Sequence, residues 1–153
     1  VVNITVGDTN KYVDADSKLN DLGLTGKYAK ITAKGGSVEY KEINADTTVA
    51  DSSKYEGGYY KITAAGDASN SDGNGGKFSM AIDKEYARKD DTVTITVKVV
   101  TASTGGVTVT LGGTTITPAT LDFASSDEVD TTKTATFTMG TEDVTLTMAA
   151  ANK

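Results

Sequence analysis

The side chains of this chain that could do chemistry are oxygen donors. Asp67-Ala68-Ser69-Asn70-Ser71-Asp72-Gly73-Asn74-Gly75-Gly76 is a polar run with nothing to bury. Within it Asp67, Asn70 and Asp72 offer the hard carboxylate and carboxamide oxygens that calcium takes. An EF-hand alignment with Gly73 at loop position 6 puts Ala68 first and Ser79 twelfth, so that motif fails. A looser calcium site at Asp67, Asn70 and Asp72 stands against a solvated surface loop. Asp14, Asp16 and Asp21 form another acidic group, but Lys18 sits between them and helix capping explains Asp16 more simply.

Tyr55, Tyr59 and Tyr60 cluster around Gly57-Gly58. Aromatic rings among polar neighbours are what a sugar-stacking surface needs, so these three are the candidate glycan contacts. Strand alternation sends Tyr59 and Tyr60 to opposite faces, which weakens a shared platform. Nucleophilic and redox chemistry has little to draw on. The chain has 153 residues with no Cys, His or Trp. That excludes thiolate and imidazole catalysis and Cys- or His-ligated metals. Paired acids could run glycoside hydrolysis, yet Asp90-Asp91 and Asp127-Glu128 fall in expected turns, where solvation is the simpler role. The expectation is a protein that is not an enzyme and needs no cofactor, calcium being the one ion to consider. A net charge of -6 argues against nucleic acid.

The elements that must position these groups are strands. Val2, Ile4 and Val6 alternate with Asn3 and Thr5, and Lys27–Ala33, Ser37–Ile43, Tyr59–Ala64 and Lys77–Ile82 also alternate. Tyr28-Ala29-Lys30-Ile31-Thr32-Ala33 and Tyr59-Tyr60-Lys61-Ile62-Thr63-Ala64 look alike, as a decayed duplication or as two strands under similar demands. Asp16–Leu22, with Leu19 and Leu22 at i, i+3 and Gly23 after them, predicts a short helix. Beyond Asp91 the chain is Thr-rich and alternates through Thr92–Thr101, Val107–Leu111, Thr132–Met139 and Asp143–Met148. Gly112-Gly113 predicts a two-residue hairpin into Thr114–Thr117. All seven Tyr precede residue 87 and most Thr follow residue 91. This shift suggests a Tyr-rich domain over 1–87 and a Thr-rich one over 88–153, or one domain throughout. The fold class is all-β, an antiparallel sandwich or two small ones, with a helical insert near the N-terminus.

Thr136-Phe137-Thr138-Met139-Gly140-Thr141-Glu142-Asp143-Val144-Thr145-Leu146-Thr147 resembles the closing hairpin of repeat domains in bacterial, mainly Gram-positive, surface proteins. Thr94–Val99 and the Gly-Gly segment are similar to earlier strands of such modules. The likeness spans Asp91 to Ala150 and departs at Gly140, where that pattern has Pro. It implies an Ig-like β-sandwich on a cell surface, serving as spacer, adhesin part or assembly unit, and it supplies no catalytic residues.

The expected function is a non-enzymatic extracellular structural subunit of a bacterial surface assembly, whether pilus-like filament, surface layer or adhesin stalk, whose partner is another copy of itself. A carbohydrate-binding or adhesion module is the alternative. Val1 in place of Met suggests a processed or shortened product, a removed secretory leader being one origin. No apolar stretch approaches the roughly 20 residues that span a bilayer. Val2, Ile4 and Val6 could be donated to a neighbouring subunit's sheet, or could form an edge strand of their own sheet. Asn3-Ile4-Thr5 is a glycosylation sequon inside a predicted strand. Lys30 is a candidate for the internal Lys–Asn or Lys–Asp bond known in Gram-positive surface sandwiches.

Overall fold

The computed structural model describes residues 1–32, 37–50 and 58–153. The chain is all-β, in several antiparallel sheets. It forms two compact units, Val1–Tyr60 and Lys61–Lys153.

In the first unit, β1 (Val2–Val6), β2 (Thr9–Val13), β3 (Tyr28–Thr32) and β4 (Val38–Glu42) make one antiparallel sheet in the order β2-β1-β3-β4. Gly7-Asp8 joins β1 to β2, and Val6 faces Thr9, so this is a two-residue hairpin. Gly7 takes φ +58, the left-handed value that glycine adopts without strain at the first position of such a turn. Alternation sends Val2 and Ile4 of β1 and Ala29 and Ile31 of β3 to one face. There they pack with Leu19, Ile43, Val49 and Ala50.

The expected helix over Asp16–Leu22 is a single 3-10 turn, Leu19–Asp21, with no side-chain cap. The backbone upstream is already committed. Val49 and Ala50 N–H donate to Ser17 and Ala15 carbonyls, and Leu19 N–H donates to Thr47. Residues paired across to 47–50 cannot also form i to i+4 bonds, so only the last turn is left to coil.

The second unit holds β5 (Tyr60–Thr63), β6 (Ala68–Ser69), β7 (Lys77–Ile82), β8 (Tyr86–Ala87), β9 (Thr92–Thr101), β10 (Val107–Gly112), β11 (Thr120–Phe123), β12 (Thr132–Thr138), β13 (Val144–Thr145) and β14 (Thr147–Asn152). They form sheets ordered β12-β9-β7-β6, β11-β10-β14 and β13-β5-β8. Val93, Ile95, Val97 and Val99 of β9, and Val107, Val109 and Leu111 of β10, are buried. Phe78 of β7 and Phe123 of β11 meet at 4.8 Å between ring centroids, joining two sheets through one aromatic contact. Residues 61–87, grouped with the first half because the last tyrosine is Tyr86, pair with the Thr-rich strands, since β7 runs antiparallel to β9. Backbone pairing, not composition, defines the unit.

Two local expectations differ from the structure. Gly112-Gly113 is not a two-residue hairpin: β10 pairs with β11, where Thr110 faces Thr120. Residues 114–117 instead reach β12, where Thr117 and Thr136 exchange backbone bonds at 2.9 Å. Gly113 is required for another reason, because a Cβ there would lie 2.1 Å from the Thr145 carbonyl oxygen. Thr136–Thr147 is likewise not a hairpin of paired neighbours. β12 pairs with β9 and β14 with β10, so the intervening turn crosses between sheets. Met139 stays bonded to Asp90 and Asp91, while Leu146 N–H already donates to Thr63.

Phe78→Ala should cost about 3–5 kcal/mol, the range for a buried aromatic truncated to Ala. Urea unfolding followed by circular dichroism measures it, and a loss under 1 kcal/mol would mean the two rings do not hold these sheets together.

Candidate functional site

The most site-like surface lies on the outer face of the β2-β1-β3-β4 sheet. Residues opposite one another across an antiparallel pair share a face. Asn10, Thr5, Lys30 and Tyr40 therefore form one row across the four strands. Tyr28 stands two residues before Lys30 on β3, on the same side, and faces Glu42. Because Ala29 and Ile31 must point into the core, Tyr28 and Lys30 must point out. Tyr40 is 70% and Tyr28 50% exposed, large aromatic surfaces left to solvent. Thr5, Gly7, Tyr28, Lys30 and Tyr40 line an open trough of about 480 Å³. Gly7 lines one end, where the space beside its Cα is open.

The polar groups of this face are ordered on one side. Thr5 Oγ1 donates to Asn10 Oδ1 at 2.8 Å, and Asn3 Nδ2 donates to the same oxygen at 3.4 Å. Lys27 Nζ lies 5.6 Å from the centre of the Tyr28 ring, a cation–π contact. Two aromatic faces, an ammonium and a hydroxyl on one sheet face can stack a ring and donate hydrogen bonds to it.

The residues singled out by sequence fall elsewhere. Asp67 pairs with Lys77 at 3.4 Å, Asn70 Oδ1 accepts Asp72 N–H at 3.0 Å, and Asp72 Oδ2 accepts Asn152 N–H at 3.4 Å. Asn70 is only 7% exposed, and its Nδ2 donates to Asn152 Oδ1 at 2.8 Å. Asn74 N–H donates to that oxygen too, and Asn74 Nδ2 donates to the Gly106 carbonyl. The polar loop is thus fastened to the end of β14 and to the turn before β10. Among the described residues no three or more His, Cys, Asp or Glu side chains gather as a metal-ligand set.

Val2 and Ile4 are buried, and β1 lies between β2 and β3, so it is an inner strand and not an edge. Val6 packs beside that core. Asn3 is 9% exposed with its amide engaged, which leaves no room for an attached glycan. Tyr55 lies outside the described residues. Tyr59 packs edge-on against Tyr12, 5.2 Å between centroids, and Tyr60 is half-buried in β5. Lys30 stands exposed in the row of Thr5 and Tyr40.

Two carboxyls titrate below the usual carboxylate range. Burial pushes Asp83 up, but the Thr94 N–H, 2.8 Å from Oδ1, and the neighbouring Lys84 together outweigh it. The Thr108 hydroxyl at 2.9 Å, opposed by slight burial and aided by Lys153 and Lys133, lowers Asp122. No protein-family model matches the chain, and no curated protein or solved structure matches it.

A carboxyl held below its unfolded value of about 3.9 adds stability above that pH and loses it as pH falls through the lower folded value. Asp83→Asn should therefore lower stability only slightly at neutral pH, because the 43% exposed side chain is screened by solvent, and should flatten the loss of stability below about pH 4. Thermal melts from pH 7 to 2.5 check this; parallel curves for the two proteins would refute it.

Proposed function

We propose that this chain is a non-enzymatic structural subunit of an extracellular bacterial surface assembly, such as a pilus-like filament, a surface layer or an adhesin stalk, built from Ig-like modules that associate with copies of themselves. The supporting observation is β4. Among the described residues it is an edge strand, and it carries Val38, 44% exposed, and Tyr40, 70% exposed. Exposed apolar groups along an edge are what β-strand addition uses. Residues 1–6 already fill their own sheet, so the association uses exposed edges and not a donated N-terminal strand. No helix of the described residues is long and apolar enough to cross a membrane.

Sedimentation equilibrium should show reversible, concentration-dependent association between about 10 µM and 1 mM, the regime of small interfaces. A single monomer mass across that range would end this reading.

The trough between Tyr28 and Tyr40 favours a second reading, a carbohydrate-binding or adhesion module. The stacking surface then lies on Tyr28, Lys30 and Tyr40 instead of Tyr55, Tyr59 and Tyr60. Glycan-array binding that disappears in Tyr28→Ala would support it, with a loss worth about 1 kcal/mol or more per ring. Binding unchanged in that variant would place the sugar elsewhere.

A further inference from the structure

We propose that β4 is a self-complementary edge, at which a second copy of this chain pairs antiparallel with Tyr40 on the two-fold axis. The inference rests on the self-association reading and names its contact. β4 pairs with β3 and, among the described residues, with no strand on its other side. Backbone groups of successive strand residues point to alternate sides. Ile43 N–H donates to the Lys27 carbonyl at 3.1 Å, which fixes the phase. Glu39 and Lys41, in step with Ile43, turn their backbone groups to β3. Val38, Tyr40 and Glu42 turn theirs to the open edge.

A two-fold antiparallel pairing must set outward-directed residues opposite one another. Near the middle of the strand this permits an axis only at residue 39, 40 or 41. An axis at Glu39 places two carboxylates face to face, and one at Lys41 places two ammoniums face to face. With the axis at Tyr40, each Glu39 meets Lys41 of the second copy. These are non-hydrogen-bonded positions, where side chains approach most closely. Tyr40 then exchanges its N–H and C=O bonds with the second Tyr40. Glu42 N–H donates to the second Val38 carbonyl, and Val38 packs on the stem of Glu42. The Glu42 carbonyl itself accepts Ala45 N–H.

Charged side chains on an edge strand ordinarily prevent pairing. Here they prevent the wrong registers and favour one. Lys41 Nζ already donates to the Thr48 carbonyl at 3.2 Å, and an ammonium has further N–H groups to give. Glu39 has an interaction of its own within the chain, and a carboxylate accepts more than one bond. One short strand pair buries less than the roughly 1,200 Å² of a stable interface, so the contact is weak in dilute solution. Tethering in an array raises its effective concentration.

The test uses the full chain and its lack of cysteine. Glu39→Lys and Lys41→Glu should each weaken association about tenfold in sedimentation equilibrium, since each turns both cross-strand pairs repulsive. The double variant Glu39→Lys/Lys41→Glu should restore it. Tyr40→Cys should form a disulfide dimer on mild oxidation. An equimolar mixture of Val38→Cys and Glu42→Cys chains should yield the mixed dimer in excess over either symmetric one, and circular dichroism confirms that each variant folds. Association that ignores the charge reversals, with no preferred crosslink, overturns the β4 contact and leaves self-association standing on another surface. A chain that stays monomeric at 1 mM and never crosslinks overturns both. A glycan that binds through Tyr40 while association proceeds unaltered by the charge reversals assigns this face to sugar and overturns the contact.

Discussion

Alternation along the strands is the constraint on which this molecule depends. Large apolar side chains are scarce, at 37% hydrophobic and 7% aromatic overall. A chain so composed builds cores only if nearly every apolar residue on a strand faces inward. In β9 this holds throughout: Val93, Ile95, Val97 and Val99 are buried, and the threonines between them face the other way. Slipping one residue in register would turn that whole set to water. The same rule operates in β3, where burial of Ala29 and Ile31 forces Tyr28 and Lys30 outward. The outer face is therefore as strictly determined as the core.

Most strands were legible for this reason. β1, β3, β4, β7, β9, β10 and β12 lie where period-two patterning put them. Within the likeness between residues 28–33 and 59–64, Ile31 and Ile62 are each buried. β2 escaped notice because Thr9-Asn10-Lys11 offers no apolar alternation; its neighbour β1 and the turn at Gly7 hold it in place. The helix failed because local spacing cannot register that Ala15, Ser17 and Leu19 are bonded to a segment some thirty residues away. The unit division near residue 60 was hidden for a similar reason, since composition does not record which strand pairs with which.

The surface face was half legible. Sequence alternation alone sets Tyr28 beside Lys30, and Tyr40 two residues from Val38. It cannot show that β3 and β4 are neighbours with Lys30 opposite Tyr40. Tyr55, Tyr59 and Tyr60 drew attention by closeness along the chain, whereas Tyr28 and Tyr40 are brought together only by pairing. In the polar loop at Asp67–Gly76, the sequence shows oxygen donors but not their partners. Asn70, Asp72 and Asn74 hold the last strand through Asn152, about eighty positions distant.

The parallel pairing of β5 with β13 closes the second unit on itself. Val144 and Thr145 lie beside Ile62 and Thr63, with Leu146 N–H bonded to the Thr63 carbonyl and Lys61 N–H to the Asp143 carboxylate. β5 opens the second unit, β13 lies near its end with β14 following, and the two run in the same direction. The pairing clasps the first strand of the unit to its closing segment across 82 residues. The opening and closing segments of the unit therefore depend on one another for their place.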